Sequence, residues 1–179
     1  VRAILDGRKT QTRRTVKYHP MLGEPAAWCG AALSGAITPI IGDYRRFCKY
    51  GQHGDRLWVR ETFAEVPCIG YGGIETTKIL YRADNPSRND WRPESGDKWS
   101  PSIFCTRNAS RITLEIESVL VERLHSISEA DCYAEGITDA DIGIGLANAA
   151  YLGLWERIHG RASVDANPWV WAITFKRIK

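Results

Sequence analysis
The residues of this chain best suited to chemistry lie near its start. Arg8, Lys9, Arg13, Arg14 and Lys17 fall within ten residues that contain no acid. Unopposed cations in one stretch suit contacts to phosphate. The same stretch carries hydroxyls at Thr10 and Thr12. An amine near a hydroxyl supplies the parts of a hydrolase in which a neutral lysine takes the proton of a nucleophile. Taken alone, a Lys-Thr-x-Thr run on a strand is more often a solvated edge than a site. Arg60-Glu61 and Tyr81-Arg82 either line a pocket or serve as ordinary strand residues. Trp28, Trp91 and Trp99 fall in loop sequence and suit base stacking. Trp58, Trp169 and Trp171 sit in apolar runs and read as core.

Other chemistries find little support. The five cysteines (Cys29, Cys48, Cys68, Cys105, Cys132) are odd in number and widely spaced, with no C-x-x-C pair. That pattern fits neither a disulfide framework nor a zinc ribbon. The four histidines are scattered without H-E-x-x-H spacing. No metal, no cofactor and no disulfide partner is expected, and the cysteine usage points to a reducing compartment, the cytoplasm. A net charge of +3 is low for a protein that grips duplex DNA by its phosphates. No apolar run approaches the ~20 residues that cross a bilayer, so no membrane partner is expected. The opening Val1–Gly7 is too short and polar for a secretion signal. It begins inside a helical pattern without Met, so a few further residues are expected upstream.

The elements that position these residues follow from pattern. With 179 residues, 44% apolar and 25% charged, the chain suits one globular domain, 1–179. Residues 1–6 read as the end of a helix that Gly7 stops. Residues 10–16 read as a strand, rich in β-branched side chains. Residues 18–50 read as a long surface excursion. Leu57–Phe63 reads as a central strand and Ile79–Ala83 as another, with Gly70, Gly72 and Gly73 marking the loop between. A second insertion covers roughly residues 84–104. Arg111–Glu117 alternates polar and apolar, and Val119–Leu124 continues it after a bend. Ser128 suits a helix N-cap, with Glu129 and Asp131 in the first turn and Gly136 at the end. A second helix is expected over 146–158, with Leu146, Ala149, Ala150, Leu154 and Ile158 on its buried face and Gly160 as its stop. Pro168–Phe175 reads as the last strand. The order lacks a β-α-β rhythm, so the expected class is α+β, with a small closed or nearly closed barrel.

Three segments carry a family resemblance. Ile4-Leu5-Asp6-Gly7-Arg8-Lys9-Thr10-Gln11-Thr12-Arg13-Arg14 resembles the signature helix-Gly-Arg-Lys-Thr-strand motif of the ASCH family. Gly54-Asp55-Arg56-Leu57-Trp58-Val59 is similar to that family's G-D-x-L-x-V strand, and 124–137 with the strand Trp169–Ile178 resembles its closing part. The whole chain is similar to the ASCH-type proteins of phages and prophages, with larger insertions at 18–50 and 84–104 than minimal bacterial members have. The resemblance implies a PUA-like small mixed β-barrel with flanking helices. It further implies an amidohydrolase that removes the acetyl group from N(4)-acetylcytidine through a Lys, a Thr and a Glu. Laid on this sequence, those residues are Lys9, Thr12 and Glu135.

Amide hydrolysis needs a nucleophile, a base, a donor for the leaving amine and an oxyanion stabiliser. Thr12 offers the hydroxyl, Lys9 the base, and Glu135 protonates the amine or positions water. Residues three apart on a strand point to opposite faces. The scheme therefore requires Lys9 to lie in the turn after Gly7, or a bulge to intervene. Arg8, Arg13, Arg14, Arg60, Glu61 and Tyr81 complete the candidate substrate or RNA contacts. The expected partner is a modified pyrimidine nucleoside or RNA. The alternative is an RNA-binding module without catalysis, in which Lys9, Arg13 and Arg14 hold phosphates, or a ribonuclease variant of it.

Overall fold
The computed structural model describes residues 1–16, 48–69, 75–84, 98–143 and 145–179. Most of both expected insertions, with Lys17, Trp28, Cys29, Trp91 and the three loop glycines at 70, 72 and 73, lies outside the described residues. The described chain is α+β. Its strands are β1 (Gln11–Thr15), β2 (Arg56–Trp58), β3 (Phe63–Ile69), β4 (Glu75–Tyr81), β5 (Thr113–Arg123) and β6 (Trp169–Arg177). Its helices are α1 (Arg2–Leu5), α2 (Glu129–Ala134), α3 (Asp139–Ile142), α4 (Ala147–His159) and α5 (Arg161–Asp165). The chain divides into a larger unit, residues 3–57 and 115–177, and a smaller one, residues 1–2, 58–114 and 178–179.

The larger unit is built on a curled half-barrel sheet of order β1-β6-β5-β2. β1 and β6 run antiparallel, from Gln11 opposite Thr174 to Thr15 opposite Val170. Leu124 N–H donates to Pro168 O (3.0 Å) where β5 leaves β6. On the other flank of β5, Gly54 N–H donates to Ile116 O (2.8 Å) and Ile116 N–H to Asp55 O (2.9 Å). Each face of the sheet carries its own core. Thr12 and Arg14 stand opposite Ile173 and Trp171, which pack with Cys48, Ile116, Val119 and Val121. Opposed residues in a ladder share a face, so Thr12 belongs to that side. Gln11, Arg13 and Thr15 project to the other side. There Val170 packs with Leu124 and Ile127, and with Cys132, Tyr151, Trp155 and Val164 of the helices.

β5 runs unbroken where a bend was expected. Ile116 and Val119, three apart, join the same cluster. The alternation therefore shifts by one residue between them, as at a bulge. Helix α4 also departs from expectation. Its buried stripe is Ala147, Tyr151 and Trp155, while Leu146 and Ile158 are 73% and 66% exposed. Two aromatic rings cover more apolar area than two leucines, provided their polar tips find partners. They do: Trp155 Nε1 donates to Ser163 Oγ (3.0 Å) and the Tyr151 hydroxyl to Glu135 Oε1 (3.4 Å).

In the smaller unit β3 and β4 form an antiparallel hairpin, from Phe63 opposite Tyr81 to Ile69 opposite Glu75. Phe63, Cys105 and Ala109 make its core. The expected central strand over 57–63 is not continuous. β2 ends at Trp58 on the edge of the sheet, and the chain restarts as β3 at Phe63. The break follows from Glu61, which turns inward to an ion pair with Arg111 at 3.0 Å. Among the described residues, no helix is long and apolar enough to cross a membrane, and Cys48, Cys68, Cys105 and Cys132 are free thiols.

Candidate active site
Gly7, at φ +73°, ends α1 and turns the chain. Lys9 lies in that turn, before β1 begins. Its N–H donates to Ala3 O and the next N–H, of Thr10, donates to Ala134 O, both at 2.8 Å. The main chain is thus tied to α1 and to the end of α2 on either side of Lys9.

Helix α2 is fixed at both ends. The Ser128 hydroxyl accepts from Asp131 N–H (3.1 Å), as an N-cap does. At the other end Gly136, at φ +96°, donates to Tyr133 O (2.8 Å), and Ile137 N–H donates to Cys132 O (3.1 Å). That pair of bonds is the Schellman closure, which needs a residue tolerant of the left-handed region. Glu135 is therefore the C-cap residue that follows α2, and its own carbonyl is left for another donor. Lys9 supplies it, with Nζ 2.7 Å from Glu135 O and 2.5 Å from Glu135 Oε2. A Cβ on Gly136 would stand 3.3 Å from Ala3 Cβ and 3.4 Å from Lys9 Cβ. The bare glycine is what lets the lysine stem lie against the helix end.

The Glu135 carboxylate is 6% exposed and the Lys9 side chain 24%. Behind them stands Arg13, whose side chain is fully buried. Arg13 Nε donates to Glu122 Oε1 (2.7 Å) and Nη1 to Gln11 Oε1 (2.6 Å). Nη2 lies 2.7 Å from Glu122 and 3.2 Å from Asp131, without the alignment of a directed bond, and Nη1 lies 3.6 Å from Glu135 Oε1. Three carboxylates thus share two cations, Arg13 and Lys9. Burial pushes the Glu122 carboxyl above its ordinary value, against the pull of Arg13. Burial acts the same way on Asp131, but the Ser128 hydroxyl and Arg13 hold it below the ordinary value. Burial, reinforced by Glu135, raises the Tyr151 phenol.

Lys9 and Glu135, 126 residues apart in sequence, are brought together. Thr12 is not brought to them: the turn sends Lys9 to the helix side of the sheet, and strand alternation puts Thr12 on the side of Ile173. Arg13 is a buried hub for carboxylates, not a surface contact for phosphate. Arg14 is exposed and donates to the Arg13 carbonyl (2.9 Å). Arg8 is exposed and pairs with Asp6 at 3.1 Å. Arg60, Glu61 and Tyr81 belong to the smaller unit. Arg60 lies over the Trp58 ring at 4.9 Å and donates to Ile103 O (3.0 Å). Glu61, 1% exposed, accepts from Arg111, which also pairs with Asp84 at 2.7 Å and lies over the Tyr81 ring at 4.0 Å. Glu61 is buried and Tyr81 half-buried in that unit, while Arg60 is exposed.

Sequence reasoning missed Glu122, Asp131, Tyr151 and Arg111. Glu122 carried a signal, since an acid between Val121 and Leu124 on a buried strand demands a cation. Tyr151 carried one too, since its hydroxyl makes sense on a buried stripe only with a partner. A cavity of about 380 Å³ is lined by Arg8, Tyr133, Ala134, Ile137, Thr138 and Asp139; Arg8 and Ala134 are the sequence neighbours of Lys9 and Glu135, which do not themselves line it.

No family model, no curated protein and no solved structure matches the chain.

Proposed function
We propose that this chain is an ASCH-type protein with a PUA-like barrel that hydrolyses the acyl amide of an N(4)-acylated cytosine nucleoside. The observation that carries the reading is the contact of Lys9 with Glu135. These are two of the three residues the resemblance names, and they meet at the end of a helix whose last turn, Tyr133 and Ala134, also lines a cavity of ligand size.

The third residue, Thr12, lies on the other face of β1, so in this reading water is the nucleophile. Glu135 takes a proton from the water as its oxygen bonds to the acyl carbon. Lys9, as the ammonium, stabilises the oxyanion and then protonates N4 as the C–N bond breaks. The products are the free carboxylic acid and cytidine. The 2.5 Å contact between Lys9 and Glu135 returns the proton from acid to amine and resets the pair. The RNA-binding alternative is disfavoured by Arg13, whose buried guanidinium is already committed to carboxylates.

The test is incubation of the folded protein with N(4)-acetylcytidine, followed by ultraviolet absorbance. Conversion to cytidine is expected. A folded sample that yields none overturns the reading.

A further inference from the structure
We propose that the cavity lined by Arg8, Tyr133 and Asp139 is a subsite for a phosphorylated pyrimidine ribonucleoside. The inference rests on the proposed function and extends it from a free nucleoside to a nucleotide. The lining divides by chemistry. Tyr133, Ala134 and Ile137 give an aromatic and aliphatic wall against which a planar base stacks. Tyr133 is 39% exposed. Its hydroxyl donates to Asp139 Oδ1 (3.1 Å), which fixes both groups and leaves the carboxylate with further acceptor capacity. A ribose hydroxyl, as donor, matches that acceptor. Arg8 supplies the single cation of the lining. Its partner Asp6 is itself about half exposed. Such a surface pair is worth little and exchanges readily for a phosphate, which a guanidinium grips with two parallel bonds.

The cavity is also placed by the chain itself. Arg8 immediately precedes Lys9, and Ala134 immediately precedes Glu135. The bonds that fix the pair, Thr10 N–H to Ala134 O and Gly136 N–H to Tyr133 O, fix the cavity walls as well.

The experiment is calorimetric titration of the protein with cytidine, its 5′- and 3′-monophosphates, and 2′-deoxycytidine 5′-monophosphate. At least one ribonucleoside monophosphate is expected to bind about tenfold tighter than cytidine. Arg8→Ala removes that advantage. Tyr133→Ala weakens nucleotide and nucleoside alike by about tenfold. Asp139→Asn narrows the preference for ribose over deoxyribose. Arg161→Ala, at an exposed arginine outside the cavity, changes none of these. Equal affinity for cytidine and both monophosphates overturns the inference, as does no binding by the folded protein or wild-type behaviour of Arg8→Ala and Tyr133→Ala. Turnover decides the proposed function separately. Nucleotide binding without hydrolysis sinks the hydrolase and keeps the subsite, whereas hydrolysis without phosphate preference does the reverse.

Discussion
Replacing Arg13 with methionine is expected to destabilise the fold severely, although methionine fills much of the same space and adds no polar group. The guanidinium is fully buried and lies within 3.6 Å of three carboxylates, those of Glu122, Asp131 and Glu135. Removing one partner of a buried ion pair costs about 3–5 kcal/mol, because the other charge stays desolvated and uncompensated. Here three charges lose their common partner and Lys9 alone remains among them. The upper part of that range is expected, a large share of the roughly 5–15 kcal/mol that holds a domain together. In urea, with a slope of about 2 kcal/mol per molar, the midpoint falls by about 2 M. Arg13 pulls the carboxyls of Glu122 and Asp131 downward, so without it these two take up protons more readily and the gap from wild type narrows as pH falls toward 4. Equilibrium urea denaturation at pH 7 and pH 4 measures both effects. A loss under about 1 kcal/mol at pH 7, or a gap that widens in acid, refutes the view of Arg13 as the hub of this core.

Gly136→Ala forces a side chain into the left-handed region and against Lys9, at a cost of about 1–2 kcal/mol by thermal melting, with Ser128→Ala a milder loss of about 1 kcal/mol at the other end of α2. Glu122→Gln tests the direction of one titration. The folded-state pKa of Glu122 is raised, so its contribution is full below the ordinary value of 4.5 and is lost as pH rises through the raised one. The variant lacks that loss, and its stability is expected to fall less than that of wild type as pH rises from 4.5 toward neutrality. Alkylation with mass mapping at pH 8 is expected to modify exposed Cys68 and spare Cys132, which is buried with its thiol pushed up to about 11.

The local signals of the fold were legible because each rests on a rule with a short reach. Gly7, Gly136 and Gly160 all adopt positive φ where helices were expected to stop, and Ser128 caps the helix it was assigned to. What escaped is set by contacts distant in sequence. The stripe of α4 turns by one residue because Tyr151 finds Glu135 and Trp155 finds Ser163, partners that periodicity does not reveal. The strand over 57–63 breaks because Glu61 meets Arg111, fifty residues later. The candidate site divides the same way. Alternation made a meeting of Lys9 with Thr12 conditional on Lys9 leaving the strand or on a bulge; Lys9 does lie in the turn, yet it meets Glu135 and not Thr12. Alternation then assigns Thr12 to the far face once the pairing with Ile173 is known, and that register is a tertiary fact. Arg13 looked like a surface cation because its three acids lie 109 or more residues away in sequence.

The proposal that Lys9 and Glu135 act as the reacting pair is tested most directly by comparing three variants on N(4)-acetylcytidine. Lys9→Met and Glu135→Gln are expected to lower kcat by at least a hundredfold with the fold retained by circular dichroism, as loss of a general acid or base does. Thr12→Val is expected to stay within a few-fold of wild type, since its side chain packs on the opposite face of the sheet. A Thr12→Val protein as inactive as the other two, or a Lys9→Met protein that turns over normally, contradicts the account.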